Sequence, residues 1–142
     1  MRRALLVGLV ALAGCGGDDG GDPAVYEKAG NAICTDYSAA IAKLGQPTHV
    51  KDLGPYIEKA LPVLRDTVKR IDGLDPPGDK ADAFATFRDA ADKTVARAEA
   101  LRAAAEKADS GEVQRLLAEA NEASDRRKSL AQDAGLEACA KL

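Results

Sequence analysis

The sequence predicts an all-α protein, an up-down-up-down bundle of four helices. Apolar residues recur every three or four positions throughout residues 23–142, and no segment alternates polar and apolar residues as a strand does. Alanine fills 29 of the 142 positions, and no proline follows Pro77. Breaker residues divide the periodic region into four segments with short connections, and helices connected in this way pack antiparallel to their neighbours.

Proline and glycine delimit the first two helices. The first is expected over residues 23–44, because Asp22 suits the N-cap position and Pro23 suits the first helical position. The second is expected over residues 53–72, with a kink at Pro62, whose nitrogen cannot donate a hydrogen bond. The expected buried stripes of these helices are Tyr26, Gly30, Ile33, Tyr37, Ala40 and Leu44, and Ile57, Leu61, Leu64, Val68 and Ile71.

The third helix is expected over residues 79–108, after a stiff turn at residues 74–78 that contains Pro76 and Pro77. It contains neither glycine nor proline, and its apolar residues follow a 3-4 spacing typical of coiled coils. The expected stripe is Phe84, Phe87, Ala91, Thr94, Ala98, Leu101, Ala105 and Ala108. With so many alanines in the stripe, the core is expected to bury little apolar area per residue.

The fourth helix is expected over residues 112–134. Asp109 and Glu112 have the spacing of a capping box at its start. Gly135 followed by Leu136 indicates a left-handed C-cap with a hydrophobic contact at its end. The chain after Gly135 is expected to fold back along the first helix.

The N-terminus has the pattern of a bacterial export signal. Arg2 and Arg3 precede an apolar run over residues 4–13, which is about half the length needed to span a membrane. The run ends in Leu12-Ala13-Gly14-Cys15, which resembles the lipobox of bacterial lipoproteins. The resemblance implies that a diacylglycerol is attached to Cys15 and that the chain is cut before it. The alternative is an ordinary signal peptide that contains a cysteine.

This interpretation divides the chain into a signal peptide over residues 1–14, a lipidated spacer over residues 15–22 and a helical domain over residues 23–142. The spacer is rich in glycine and aspartate, which favours a flexible segment over the alternative of a calcium-binding loop. Cleavage removes two of the 20 basic residues and none of the 23 acidic ones, so the net charge moves from −3 to near −5. An acidic body argues against nucleic acid as a partner.

Two cysteines remain once Cys15 carries lipid. In an oxidising compartment outside the membrane, a disulfide between Cys34 and Cys139 is expected, with two free cysteines as the alternative. The whole layout is similar to small helical lipoproteins of actinobacteria and related high-GC bacteria. These proteins pair an early helical cysteine with one near the C-terminus, and they carry a Leu-x-Pro-Pro turn, here residues 74–77. Such proteins are mostly uncharacterised, so the resemblance implies no activity.

The helical domain offers few residues for chemistry. His49 is the only histidine and lies in a loop, so we expect it to be solvated, and neither a metal site, a cofactor nor a catalytic triad is predicted. Arg127 occupies a position on the fourth helix where the apolar stripe predicts an apolar residue. That expected stripe is Val113, Leu116, Ala120, Ala123, Leu130 and Ala134. Arg127 either reaches the rim or pairs with a nearby acid such as Glu122 or Asp125, or it forms a site for a carboxylate or phosphate in a groove of the bundle.

The sequence therefore favours a non-catalytic envelope protein that is anchored to a membrane through Cys15 and contacts an envelope protein partner. The alternative is a bundle that binds a small anionic solute or lipid. A cavity of roughly several hundred Å³ lined by apolar residues, with Arg127 at its mouth, would favour ligand binding. A solid alanine-packed core with an exposed apolar stripe would favour the protein contact.

Overall fold

The fold is an all-α bundle in which each helix packs against the next one in sequence. The computed structural model describes residues 20–142, so the expected signal peptide, Cys15 and most of the spacer lie outside the described residues. No helix within this part of the chain is both long and apolar enough to cross a membrane. The helices are α1 Pro23–Ala42, α2 Val50–Asp72, α3 Ala81–Glu106 and α4 Ser110–Asp133, with short 3-10 turns at Gly78–Lys80 and Cys139–Lys141.

The four expected helices are all present, with shifted ends. The helix α2 begins at Val50, before the expected start at Leu53, so Pro55 lies inside it. The missing Pro55 N–H leaves the carbonyl of Lys51 without its helical partner, and the exposed position of Lys51 lets water take that role. The bend expected at Pro62 stays a prediction.

The two expected aspartate caps are formed. Asp22 accepts hydrogen bonds at its Oδ1 from the N–H groups of Ala24 and Val25, at 2.9 and 3.1 Å. Asp109 accepts one from the N–H of Glu112 at 3.0 Å. The second half of the expected capping box is absent, because the Glu112 carboxylate pairs with the guanidinium of Arg115 instead.

The expected end of the third helix is wrong by two residues. The helix α3 ends at Glu106, and Ala108 takes the left-handed conformation with φ +53°. The N–H of Asp109 then donates to the carbonyl of Ala104 at 3.1 Å, and that of Ala108 donates to Ala105 at 3.1 Å. This is a Schellman termination with alanine at the position that glycine usually fills.

The C-terminal tail leaves α4 through a second Schellman termination and folds back along α1, as expected. Gly135 has φ +75°, and the N–H of Leu136 donates to the carbonyl of Ala131 at 2.8 Å. Contacts with α1 then follow in order along the tail. The Tyr26 hydroxyl donates to the carbonyl of Ala134 at 2.9 Å. The side chain of Asn31 accepts a hydrogen bond from the N–H of Ala138 at 2.8 Å.

A glycine in the middle of α1 makes room for the tail. A Cβ on Gly30 would come within 2.5 Å of the side chain of Leu136, which is fully buried. One turn further along α1, the sulfur atoms of Cys34 and Cys139 lie at disulfide-bonding distance, with Cα atoms 5.0 Å apart. Both cysteines are buried, so the pair lies in the core rather than at the frayed end of the chain.

The core consists of two separate apolar clusters. The first lies where α1 and the tail meet the other helices, and Tyr26 packs there edge-on against Phe84 with ring centroids 5.6 Å apart. The second cluster contains residues of α2, α3 and α4 and none of α1. Its buried members are Ile57, Leu61, Leu101, Ala104, Val113 and Leu116. Arg127 belongs to neither cluster and lines both of the cavities described next. Leu101 of the second cluster lines one of them, and Ile71 and Phe87 of the first cluster line the other.

Candidate functional site

The candidate site is a partly open cavity of about 220 Å³ between α3 and α4, here called the outer cavity. Alanines face one another across it because Ala98 of α3 lies opposite Ala120 and Ala123 of α4. Methyl groups fill little of the space between two helices, so a gap remains where larger residues would pack. The full lining is Thr94, Arg97, Ala98, Leu101, Ala120, Ala123, Ser124 and Arg127.

Two arginines supply the charge of the outer cavity. Arg97 of α3 and Arg127 of α4 are both half-buried. Neither has a carboxylate within 4.0 Å among residues 20–142. The hydrogen bond found for Arg127 in this part of the chain is a long one, at 3.5 Å, to the hydroxyl of Ser124.

The expected pairing of Arg127 with a nearby acid is therefore wrong. Asp125 lies 3.7 Å from the ammonium of Lys128 instead, and Glu122 is exposed without an ion pair to Arg127. Residue spacing explains the difference. Asp125 and Glu122 lie two and five positions from Arg127, and side chains at those spacings do not face each other on a helix. The guanidinium of Arg127 therefore has no ion pair with any of the described residues.

The surroundings of Arg127 disfavour a positive charge. Burial lowers the pKa of its guanidinium, and Tyr37 on α1 acts in the opposite direction. Burial raises the pKa of the Tyr37 hydroxyl, while the neighbouring Arg127 lowers it. Because an arginine stays charged in proteins, an anion in the cavity would relieve part of the cost of burying it.

A second, smaller cavity of about 50 Å³ lies beside it, is lined by more of the buried residues, and is here called the inner cavity. Thr94 and Arg127 line both cavities, so they form the boundary between the two. The remaining lining comes from α1, α2, α3 and the tail. It consists of Cys34, Tyr37, Leu64, Thr67, Val68, Ile71, Phe87, Ala91 and Leu142.

The structure brings Arg127 and the Cys34–Cys139 pair near one cavity and leaves His49 apart from them. Arg127 lies at the boundary of the cavities, and Cys34 lines the inner one. His49 is exposed at the start of α2 and its side chain makes no capping hydrogen bond. No group of three or more potential metal ligands occurs within the described part of the chain. Cys15 lies outside it.

Sequence reasoning missed Arg97, although a signal existed. Arg97 immediately precedes the stripe residue Ala98, and a long side chain next to a run of small residues reaches into the gap that they leave. The eight lining residues of the outer cavity include no carboxylate, histidine or cysteine. Their arrangement is suited to holding an anion rather than to acid–base or nucleophilic chemistry.

Comparisons with protein-family models, with curated proteins and with solved structures find no match to this chain.

Proposed function

We propose that this chain is a lipid-anchored, non-catalytic protein of the cell envelope that binds a small anionic ligand between α3 and α4. The observation that supports it is the outer cavity, where Arg97 and Arg127 meet with no carboxylate within 4.0 Å among the described residues. Guanidinium groups bind carboxylate and phosphate through paired, charge-assisted hydrogen bonds. The hydroxyls of Thr94 and Ser124 line the same cavity, and that of Ser124 supplies a further donor.

The cavity favours ligand binding over contact with a protein partner. Ligand binding was expected to need an apolar cavity of roughly several hundred Å³ with Arg127 at its mouth, and the protein contact an exposed apolar stripe. The outer cavity, at about 220 Å³, has Arg127 in its lining and lies at the lower end of that size. The large apolar residues exposed in the described part of the chain, Val25, Val50 and Leu117, belong to three different helices and form no stripe. The outer cavity is smaller than the roughly 300–1,000 Å³ of sites for drug-sized molecules, which indicates a small ligand.

Binding is tested by titrating the full chain, held in nanodiscs of zwitterionic lipid, with hexanoate and with inorganic phosphate. Backbone amide signals of α3 and α4 report the site. Replacing Arg127 or Arg97 by Gln removes one charged partner of the anion, a loss of roughly 1.5–3 kcal/mol, so we expect at least tenfold weaker binding.

The matched control is Arg126→Gln, which makes the same charge change on α4 at an exposed position outside the outer cavity. We expect it to bind as the unmodified protein does. Equal losses in Arg126→Gln and Arg127→Gln would contradict the site, and binding of neither hexanoate nor phosphate would contradict the function.

The anchor is supported by the leader sequence and its lipobox-like end at Cys15. Two or three acyl chains hold a protein firmly at a membrane, at about 0.8 kcal/mol for each buried methylene. We expect the unmodified protein to partition into the detergent phase with an acyl mass on Cys15, and Cys15→Ala to lack that mass. Cys34→Ala, which leaves the lipobox unchanged, is the control. An acyl mass absent from the unmodified protein would contradict the anchor.

A further inference from the structure

We infer that the ligand is amphipathic, with an anionic group in the outer cavity at Arg97 and Arg127 and a short apolar group that enters the inner cavity past Thr94. This inference rests on the proposed function and adds the chemical class of the ligand. It distinguishes an organic acid with an aliphatic or small aromatic group from a hydrophilic anion such as phosphate or sulfate.

The two cavities are adjacent spaces on either side of the same two side chains. Thr94 of α3 and Arg127 of α4 line both. A ligand whose anionic group contacts Arg127 therefore has the inner cavity directly beside its point of attachment. The inner volume of about 50 Å³ limits what enters to a group of a few carbon atoms.

The surface of the inner cavity is mostly apolar. Its two threonines use their hydroxyls on their own helices, because Thr67 donates to the carbonyl of Val63 at 2.9 Å and Thr94 donates to that of Ala90 at 3.0 Å. Aliphatic and aromatic side chains make up most of the remaining lining, with Val68 and Ile71 from α2 and Phe87 from α3. The other polar groups of the lining are the Tyr37 hydroxyl and the Arg127 guanidinium, and Arg127 lies at the boundary where the anionic group binds. An alkyl group against the rest of the wall would gain burial, whereas a second charged group there would lose its water.

The walls of the inner cavity are fixed by tertiary contacts. Leu142 of the tail lines it, and the tail is held along α1 by the hydrogen bond from Ala138 to Asn31 and by the Cys34–Cys139 pair. A preformed apolar wall lowers the ordering cost of binding. The wall that Leu142 contributes is therefore tied to α1 rather than formed by a detached chain end.

The test compares acetate with hexanoate, using the full chain in nanodiscs of zwitterionic lipid and empty nanodiscs as the blank. Each buried methylene strengthens binding about fourfold. Since hexanoate is four methylenes longer than acetate, we expect it to bind at least tenfold more tightly. Hexanol, which has the alkyl chain without the charge, is expected to bind at least tenfold more weakly than hexanoate.

Filling the inner cavity is expected to remove the higher affinity that the alkyl group of hexanoate provides. Ala91 is buried in its wall, and Ala91→Leu is expected to reduce the ratio of hexanoate to acetate affinity to below threefold while leaving acetate binding unchanged. Val68→Ile adds a single methylene in the same wall and is expected to lower the ratio by a smaller factor if Ala91→Leu does not fold. Ala100→Leu, at an exposed position of α3, is the matched control and is expected to keep the full ratio.

The outcomes separate this inference from the function on which it rests. Equal affinities for acetate and hexanoate in the unmodified protein would overturn the amphipathic ligand and leave anion binding in place. A ratio of hexanoate to acetate affinity that stays unchanged in both Ala91→Leu and Val68→Ile would also overturn it, because the alkyl group would then lie outside the inner cavity. Binding of neither acid would overturn the proposed function itself.

Discussion

Opening the Cys34–Cys139 pair is expected to remove a large part of the stability of this bundle. The two residues are 105 positions apart and join α1 to the tail. The perturbation is made in two ways, by a reductant on the unmodified protein and by the double substitution Cys34→Ala/Cys139→Ala. Alanine is chosen because both sites are buried and apolar, so a serine would add the cost of burying a hydroxyl.

The expected magnitude follows from the length of the closed loop. In the chain-entropy model, a cross-link that closes a loop of about 105 residues stabilises the folded state by about 4.8 kcal/mol at 25 °C. The free energy of unfolding of a domain is typically about 5–15 kcal/mol. For a domain of this size, about 4 °C of Tm accompanies each kcal/mol, so a fall in Tm of roughly 15–20 °C is expected.

Urea unfolding followed by circular dichroism gives the free energy of unfolding of the oxidised, reduced and double-alanine forms. Non-reducing mass spectrometry establishes the linkage before each measurement. The control is Cys15→Ala, which changes a cysteine outside the pair and should respond to reductant as the unmodified protein does. A reduced protein within about 1 kcal/mol of the oxidised one, or the absence of a peptide joining Cys34 to Cys139, would refute the reasoning.

Two further predictions concern the end of α3 and the anchor of the tail. Ala108→Gly is expected to stabilise the protein by about 0.5–1 kcal/mol, because φ is +53° and a left-handed alanine costs more than the added freedom of glycine in the unfolded chain. The control is Ala103→Gly at an exposed helical position, which should destabilise the protein by about 1 kcal/mol. If urea unfolding gave both substitutions a change of the same sign in the free energy of unfolding, the explanation would be contradicted. Tyr26 tests the pH dependence: burial raises the pKa of its hydroxyl to about 12, so the folded state favours the neutral form and stability is lost as the pH rises from 10 towards 12. At pH 8 the free energy of unfolding of Tyr26→Phe should be about 1 kcal/mol lower, because the hydrogen bond to Ala134 is missing. Between pH 10 and pH 12 its free energy of unfolding should fall by roughly 2–3 kcal/mol less than that of the unmodified protein. Parallel stability curves for the two proteins up to pH 11.5 would contradict this.

The helices were predictable because their determinants are local. The caps at Asp22 and Asp109 and the left-handed turn at Gly135 depend on residues within one turn of the helix end. The start of α2 was less predictable, since Pro55 is tolerated inside the helix only where water reaches the carbonyl that it leaves free. The end at Ala108 was missed because alanine carries no sequence signal for a positive φ.

The sequence predicted one residue of the candidate site, Arg127, but not the shape of the cavities around it. The spacing that placed Arg127 among apolar positions of the fourth helix marked it as unusual. The absence of an ion pair, the second guanidinium of Arg97 and the inner cavity depend on how side chains from several helices fill one layer. No periodicity along a single helix contains that information.

The sequence by itself determined four helices with their breakers and caps, because each of these depends on neighbouring residues. The tertiary structure decided that the tail runs back over Gly30 to bring Cys139 to Cys34, and that two clusters form instead of one continuous core. The physical reason is that the space between two helices is filled by side chains from several parts of the chain. Whether facing alanines close a gap or leave one depends on the distance between whole helices, which larger side chains elsewhere in the bundle set.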